Sequence, residues 1–437
     1  MSTETVLPVD RETVAALSRS KNEPAWLAEL RVQALEKAAA LELPKLEKTN
    51  ISRWNLTAYG QPAEVSPVSN FAELPAVVRE TLQGEEGVDV QNIIVQHNSG
   101  VVYTNLQQEL KDQGVIFTDL ETAAREHEEL VKPYLMQAIK ADEHQIAALH
   151  SALWNGGAFL YVPKNVEVTI PVQALFYHEH ASATFVPHVL IVADANSRVN
   201  YVDNYLSGDD NAPSVHNGVV EVFVKPGAKV TYASIHHLNK ESVDITFRRA
   251  IVEQDGMIEW IVGEMHDGNA ASETSSILQG NGSNSDAKVI CVGSGEQKLN
   301  ITTKAVHFGL NSESQMITRA VMREQASSII NGITKIEKGA TKANGQQTER
   351  VLMLSPKARG DANPILLIDE DDVKAGHAAS AGQVNQEQVY YMMSRGISRE
   401  DAENLIIRGF LAPVVADIPN EQLQNLLRRY IERKLGQ

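Results

Sequence analysis

VFVKPGAKVTYA, residues 222 to 233, reads as a strand, a tight turn and a second strand. Val222 to Val224 are apolar, Lys225-Pro226-Gly227 is turn chemistry, and Val230 and Tyr232 alternate with polar neighbours. Four further stretches have the same form: YVPKNVEV (161–168), IVADANSRVNYV (191–202), AIVEQDGMIEWI (250–261) and SNSDAKVICV (283–292). The residues opening each second strand are Val166, Val199, Val230, Ile258 and Val289, spaced by 33, 31, 28 and 31. So regular a period marks a stacked repeat, because one such unit cannot bury its own apolar face. The expected fold class is mainly β, a β-solenoid. Strands of this length would also suit a large antiparallel sandwich.

The texture changes on either side. Residues 1–150 are expected to form a mostly helical N-terminal domain, 151–385 the β core, and 386–437 a C-terminal helical domain. Asn22 is read as the cap of a helix with Glu23 and Pro24 in its first turn and Leu27, Leu30, Ala34, Ala38 and Leu41 on one face. Asp119 is read as the cap of a second helical stretch reaching Ile146, kinked or divided by Pro133. Val88 to Val102 reads as strand, turn, strand, with the turn at Asn98 to Gly100. Near the end, Ser398 caps a helix with Glu400 and Asp401 in its first turn, and Gly409 is its expected stop. A last helix should follow Pro419 and Asn420.

Hydrophobic residues make up 43% of the 437, enough for a sizeable core. Lys plus Arg is 39 and Asp plus Glu is 56, a formal charge of −17. That argues against nucleic acid and against an anionic membrane surface as partners, since both need clustered cations. The N-terminal residues have no apolar signal core, and no run of about 18 apolar residues could span a bilayer. A cytoplasmic location is expected. Cys291, the single cysteine, cannot form an internal disulfide or a cysteine-rich metal site, and is read as a buried small hydrophobe. No phosphate loop, nucleophile elbow or H-E-x-x-H helix occurs; GSGEQK (293–298) has the wrong spacing.

The densest chemistry lies in IDEDDVKAGHAASAGQVNQEQVYYMMSRGISREDAENLIIRGF, residues 368 to 410. An acidic run (Asp369, Glu370, Asp371, Asp372) offers hard oxygen ligands, though such a run is more often a solvated loop. His377 follows among Gly376, Ala378 and Ala379, so its imidazole is uncrowded and open to a metal or another chain. From Gln386 apolar residues recur at helical spacing, with Tyr390, Tyr391, Met392 and Met393 beside Arg395 and Arg399, a composition suited to adaptable interfaces. His178, His180 and His188 could form a second metal site, with His178 and His180 expected on one strand face, though such a group is more often a polar outer strand face. His236 and His237 are adjacent and should face opposite ways.

The stretch from 368 to 410 resembles the C-terminal signature of the SufB/SufD family, scaffold proteins of the Suf iron–sulfur cluster assembly system. The likeness rests on the acidic strand, the histidine among small residues, Gly382, the Ser-Arg-Gly-Ile of 394–397 and the helix ending in Gly409-Phe410. A weaker likeness runs through ALHSALWNGGAFLYVPKNVEVTIPV, residues 147 to 172. SufB-like scaffolds carry a cysteine near the matching histidine; here Lys374, Ala375 and Gly376 precede His377, so the chain is more like SufD. The resemblance implies a right-handed parallel β-helix between helical terminal domains, with no catalytic residues. It implies that His377 faces a SufB-like scaffold subunit and helps hold transient iron or a nascent iron–sulfur cluster, with no cofactor held by the isolated chain. It also implies that the C-terminal helices dock a SufC-like ATPase, through Tyr391, Met393, Arg395, Ile397, Ile406 and Phe410. A homodimer of the chain is a further expectation. The competing reading is a metal-dependent enzyme built on a solenoid, which would require acids and histidines to converge on one cleft.

Overall fold

The computed structural model describes residues 7–63, 66–83, 90–208, 212–416, 418 and 421–435. Its helices are α1 (Arg11–Ser20), α2 (Ala25–Ala40), α3 (Ala76–Gln83), α4 (Gln108–Asp112), α5 (Leu120–Glu126), α6 (Glu128–Val131), α7 (Gln145–Leu153), α8 (Gln386–Ser394), α9 (Arg399–Val415) and α10 (Glu421–Lys434). The first strands are β1 (Ile93–His97), β2 (Gly100–Asn105) and β3 (Ile116–Thr118). The body then runs β4 (Ala158–Val162), β5 (Val172–His178), β6 (His188–Ala193), β7 (Arg198–Ser207), β8 (Ser214–Val224), β9 (Lys229–His237), β10 (Ser242–Val252) and β11 (Met257–Glu264). It continues β12 (Ala270–Leu278), β13 (Asn284–Gly293), β14 (Lys298–His307), β15 (Glu313–Met322), β16 (Ser327–Ile336), β17 (Asn344–Met353), β18 (Arg359–Ile368) and β19 (Lys374–Gln383).

Odd-numbered strands from β5 to β19 stack in register as one parallel sheet, and even-numbered strands from β4 to β18 as the other. The chain thus winds as a parallel β-solenoid of about eight turns, not as the alternative sandwich. The turn residues make this possible. Asn165, Asn196 and Gly227 all take positive φ (62°, 59° and 70°) at the same corner of successive coils. The Asn196 side-chain amide donates to Asn165 Oδ1 at 3.1 Å, a rung of a corner ladder. A Cβ at Gly227 would lie 2.4 Å from Asn196 Oδ1, so position 227 admits only glycine without a shift.

The early coils are buried on both faces: every residue of β6 and β8 is buried. Their outer faces are covered by α2, α5 and α7 in one apolar cluster with Leu190, Val192 and Phe223. On the other sheet, α9 and α10 lay Ile407, Leu411, Leu426, Leu427 and Ile431 over Val202, Ile235, Ile261, Ile290 and Val321. The later strands, such as β15, alternate between buried and solvent-facing.

Several local expectations change. Asn22 caps nothing: it sits at φ 50° in the turn after α1, and Pro24 occupies the N-cap position of α2. The stretch after Asp119 does begin with that cap, Oδ1 accepting from the Thr122 N–H at 2.8 Å. It then breaks into α5, α6 and, after a run of turns, α7, so division at Pro133 is one of several. β1 and β2 form the expected hairpin; Val88 and Asp89 lie outside the described residues, as do Pro419 and Asn420. Gly409 does not stop its helix. α9 continues to Val415 because Leu411, Val414 and Val415 pack on the solenoid, which outweighs the roughly 1 kcal/mol that a mid-helix glycine costs. Among the described residues no helix is long and apolar enough to cross a membrane.

Candidate functional site at the open end of the solenoid

Among the described residues β18 and β19 end the two sheets, each with a neighbour on one side only. Most of β19 is solvent-exposed. Pro364, which lacks an N–H, is accommodated within β18, as edge strands allow. His377 lies in β19 opposite Gln347. In-register parallel strands stack partner residues on the same face, and the column beneath His377 runs Gln347, Met316, Ala287, Trp260, Tyr232 and Tyr201. All six of these are buried. His377 therefore tops an inward column, yet is exposed because no coil follows it. In the next column Glu349 lies beneath Ala379, buried, with neither carboxyl oxygen hydrogen-bonded. Gly332 gives it room: a Cβ there would meet Glu349 Oε1 at 1.9 Å. Burial pushes the Glu349 carboxyl up to about 7.

The acidic run is the turn joining β18 to β19. Glu370 Oε2 accepts the Gly339 N–H of the coil below at 2.9 Å and Oε1 the Asp371 N–H at 3.0 Å, which holds its carboxyl below the usual range. It therefore ties two coils together. The six residues at the C-terminal helices divide in two. Tyr391, Met393 and Arg395 are exposed on α8 and the turn after it, beside a shallow groove of about 510 Å³ that Tyr391 lines with Met392, Leu405 and Ile406. Ile397 and Ile406 pack in a small cluster with Val389 and Ala402, while Phe410 packs on the solenoid with Arg319 over its ring at 5.3 Å.

His178, His180 and His188 do not gather into one site. His178 is buried against Phe185 with its Nε2 on the Ala183 carbonyl, whereas His180 lies beyond β5 and is exposed. His188 pairs with His150 at 3.0 Å and with Glu221 at 3.1 Å. Cys291 is buried, and burial pushes its thiol well up, so it stays a thiol. The convergence lies instead inside the coils. His236, Asp244, Glu264 and His266 bring one donor atom each within 4.8 Å of one another, all buried. His236 and Glu264 stack on one sheet, His216 and Asp244 on the facing one. Acids and histidines thus meet in the interior and not in an open cleft. Strand alternation correctly separates His236 from His237, whose Nδ1 meets the Met265 carbonyl. What single-strand reading misses is that coil stacking carries His236 onto residues up to 30 positions away.

The described residues thus form a two-sheet parallel solenoid whose last strands are paired on one side, with terminal helices along its flank. Residues 176–410 match the SufBD core domain of the SUF system for FeS cluster assembly, and residues 15–174 match the SufBD protein N-terminal region. The chain belongs to the SufB/SufD family of iron–sulfur cluster assembly proteins. It is 49% identical over 438 residues to the iron–sulfur cluster assembly protein SufD of Bacillus subtilis, covering all of both chains. It is 29% identical over 433 residues to a SufBD family protein of Staphylococcus epidermidis, covering 97% of this chain and 93% of that one. The likeness to SufD expected from the missing cysteine agrees with the first of these.

Proposed function

We propose that the chain is a non-catalytic SufD-like scaffold subunit acting in the cytoplasm. It pairs with a SufB-like chain through the open solenoid end and docks a SufC-like ATPase through α8 and α9. The observation that carries this reading is the pair of uncapped strands β18 and β19, with His377 at the head of an inward column. Long exposed edges with unpaired N–H and C=O groups invite pairing with another chain and are otherwise a liability. A partner strand laid on β19 would cover His377 and Glu349 together. The imidazole would then join donors from the partner in holding iron or a nascent cluster as cargo, with no ion resident at this end of the isolated chain. The exposed Tyr391, Met393 and Arg395 support the ATPase contact, since aromatic, methionine and arginine side chains are enriched at interfaces. Asp369, Asp371 and Asp372 would add carboxylates at the rim.

The test is co-expression with the SufB-like and ATPase proteins of the same source, followed by sizing of what co-purifies. A stable three-component complex is expected, and His377→Ala should retain the complex while lowering cluster yield several-fold. A chain that always emerges alone would overturn the pairing. Unchanged cluster yield in His377→Ala would reduce His377 to packing.

A further inference from the structure

We infer that His236, Asp244, Glu264 and His266 form a resident binding site for a divalent first-row transition ion, Zn²⁺ or Fe²⁺, inside the solenoid. This site is separate from the open end and does not rest on the pairing proposed above. Asp244 Oδ2 lies 2.9 Å from His236 Nδ1 and 2.9 Å from His266 Nε2, and Glu264 Oε2 lies 2.7 Å from the same His266 nitrogen. Four donors around one zinc ion at about 2.0–2.2 Å would stand roughly 3.3 Å apart, so these three contacts need open by only about half an ångström. Two imidazoles and two carboxylates are borderline-to-hard donors, which favours zinc or ferrous iron over calcium or copper(I).

The two carboxylates are held from outside as such a site requires. Each carboxylate has its outer oxygen already fixed, leaving the inner one free to ligate. Asp244 Oδ1 accepts from Thr246 Oγ1 at 2.6 Å and meets His216 Nδ1 at 2.9 Å, while Glu264 Oε1 accepts from Arg248 at 3.1 Å. His266 Nδ1 is buried without a hydrogen-bond partner. Asp244 and Glu264 face the cluster with a single arginine, Arg248, paired to one of them, so the closed interior is acidic enough to hold a cation. Ligation through His236 Nδ1 would place its proton on Nε2 and turn Arg248 Nη2 away from its present 2.7 Å contact there. At the end of α10, Lys434 Nζ donates to the His266 carbonyl and pairs with Asp267 at 2.8 Å.

The experiment uses the full chain without partners, stripped with chelator, reloaded with Zn²⁺, Fe²⁺ or Co²⁺ and passed through a desalting column. One ion per chain should remain, with X-ray absorption of the zinc form showing two imidazoles and oxygen donors. Glu264→Gln should lose the ion, His216→Ala should weaken it roughly 10- to 100-fold, and His377→Ala should leave it unchanged. Retention of no ion would make the cluster a protonated ion-pair network and overturn the inference. So would equal retention by Glu264→Gln, and so would a sulfur donor from nearby Cys291. If Glu264→Gln does not fold, the absorption spectrum of the natural chain decides alone.

Discussion

Glu349 is a buried carboxyl facing no donor, and its titration should be visible in the stability of the chain. Its value rises from an ordinary 4.5 to about 7 because burial disfavours the charged form. As pH climbs, the unfolded chain ionises first; stability is therefore fully present below about 4.5 and declines until pH 7. Glu349→Gln should abolish that decline and leave the protein more stable at pH 8 by about 1–3 kcal/mol; urea titrations at pH 5 and 8 measure it, and parallel slopes in both proteins would refute it. Arg31 presents the opposite case. It is wholly buried, pairs with Glu23 at 2.6 Å, donates to the Ala152 and Trp154 carbonyls and lies 4.3 Å over the Trp154 ring. Arg31→Met should cost about 3–5 kcal/mol, read as a lowered melting temperature, and an unchanged melting temperature would show the pair dispensable. Neither residue was legible beforehand, because nothing in a linear pattern marks a charged position on an amphipathic helix or strand as buried.

α8 and α9 show what a helical element reveals in sequence and what it conceals. Ser398 was readable as a cap and is one: its side chain accepts the Asp401 N–H at 3.0 Å. Ser398→Ala should cost about 1 kcal/mol. The end of α9 was not readable, since its last turn exists only by packing on strands from distant coils. The same packing divides the expected ATPase contacts. Tyr391→Ala and Met393→Ala, on exposed positions, should change stability by less than about 0.5 kcal/mol while abolishing co-elution of the ATPase. Phe410→Ala should lower stability as well, because its ring sits against Arg319 and the solenoid cluster. Retained co-elution in the double exposed variant would move the ATPase contact elsewhere.

At the scale of the molecule, the repeat was the most legible feature. The near-constant period of the strand and turn units pointed to a stacked repeat, although Val166 precedes its strand and residues 284–293 form one strand without the expected turn. The interior chemistry was not legible, because it depends on which residues of coils 26 to 32 positions apart face one another. An inward charge at the open end gives a test on this scale: Ala379→Lys should leave the fold intact and remove strand pairing, seen by sedimentation as loss of both the partner complex and any self-association. The helices α9 and α10 lie along one flank and touch strands from β7 to β17. A stack of coils joined only to nearest neighbours unravels one coil at a time. The two helices act as a splint, making the spanned coils open together and leaving the last coil to fray. Amide hydrogen exchange should therefore fall off as a step and not a slope, fast in β18 and β19 and slow below.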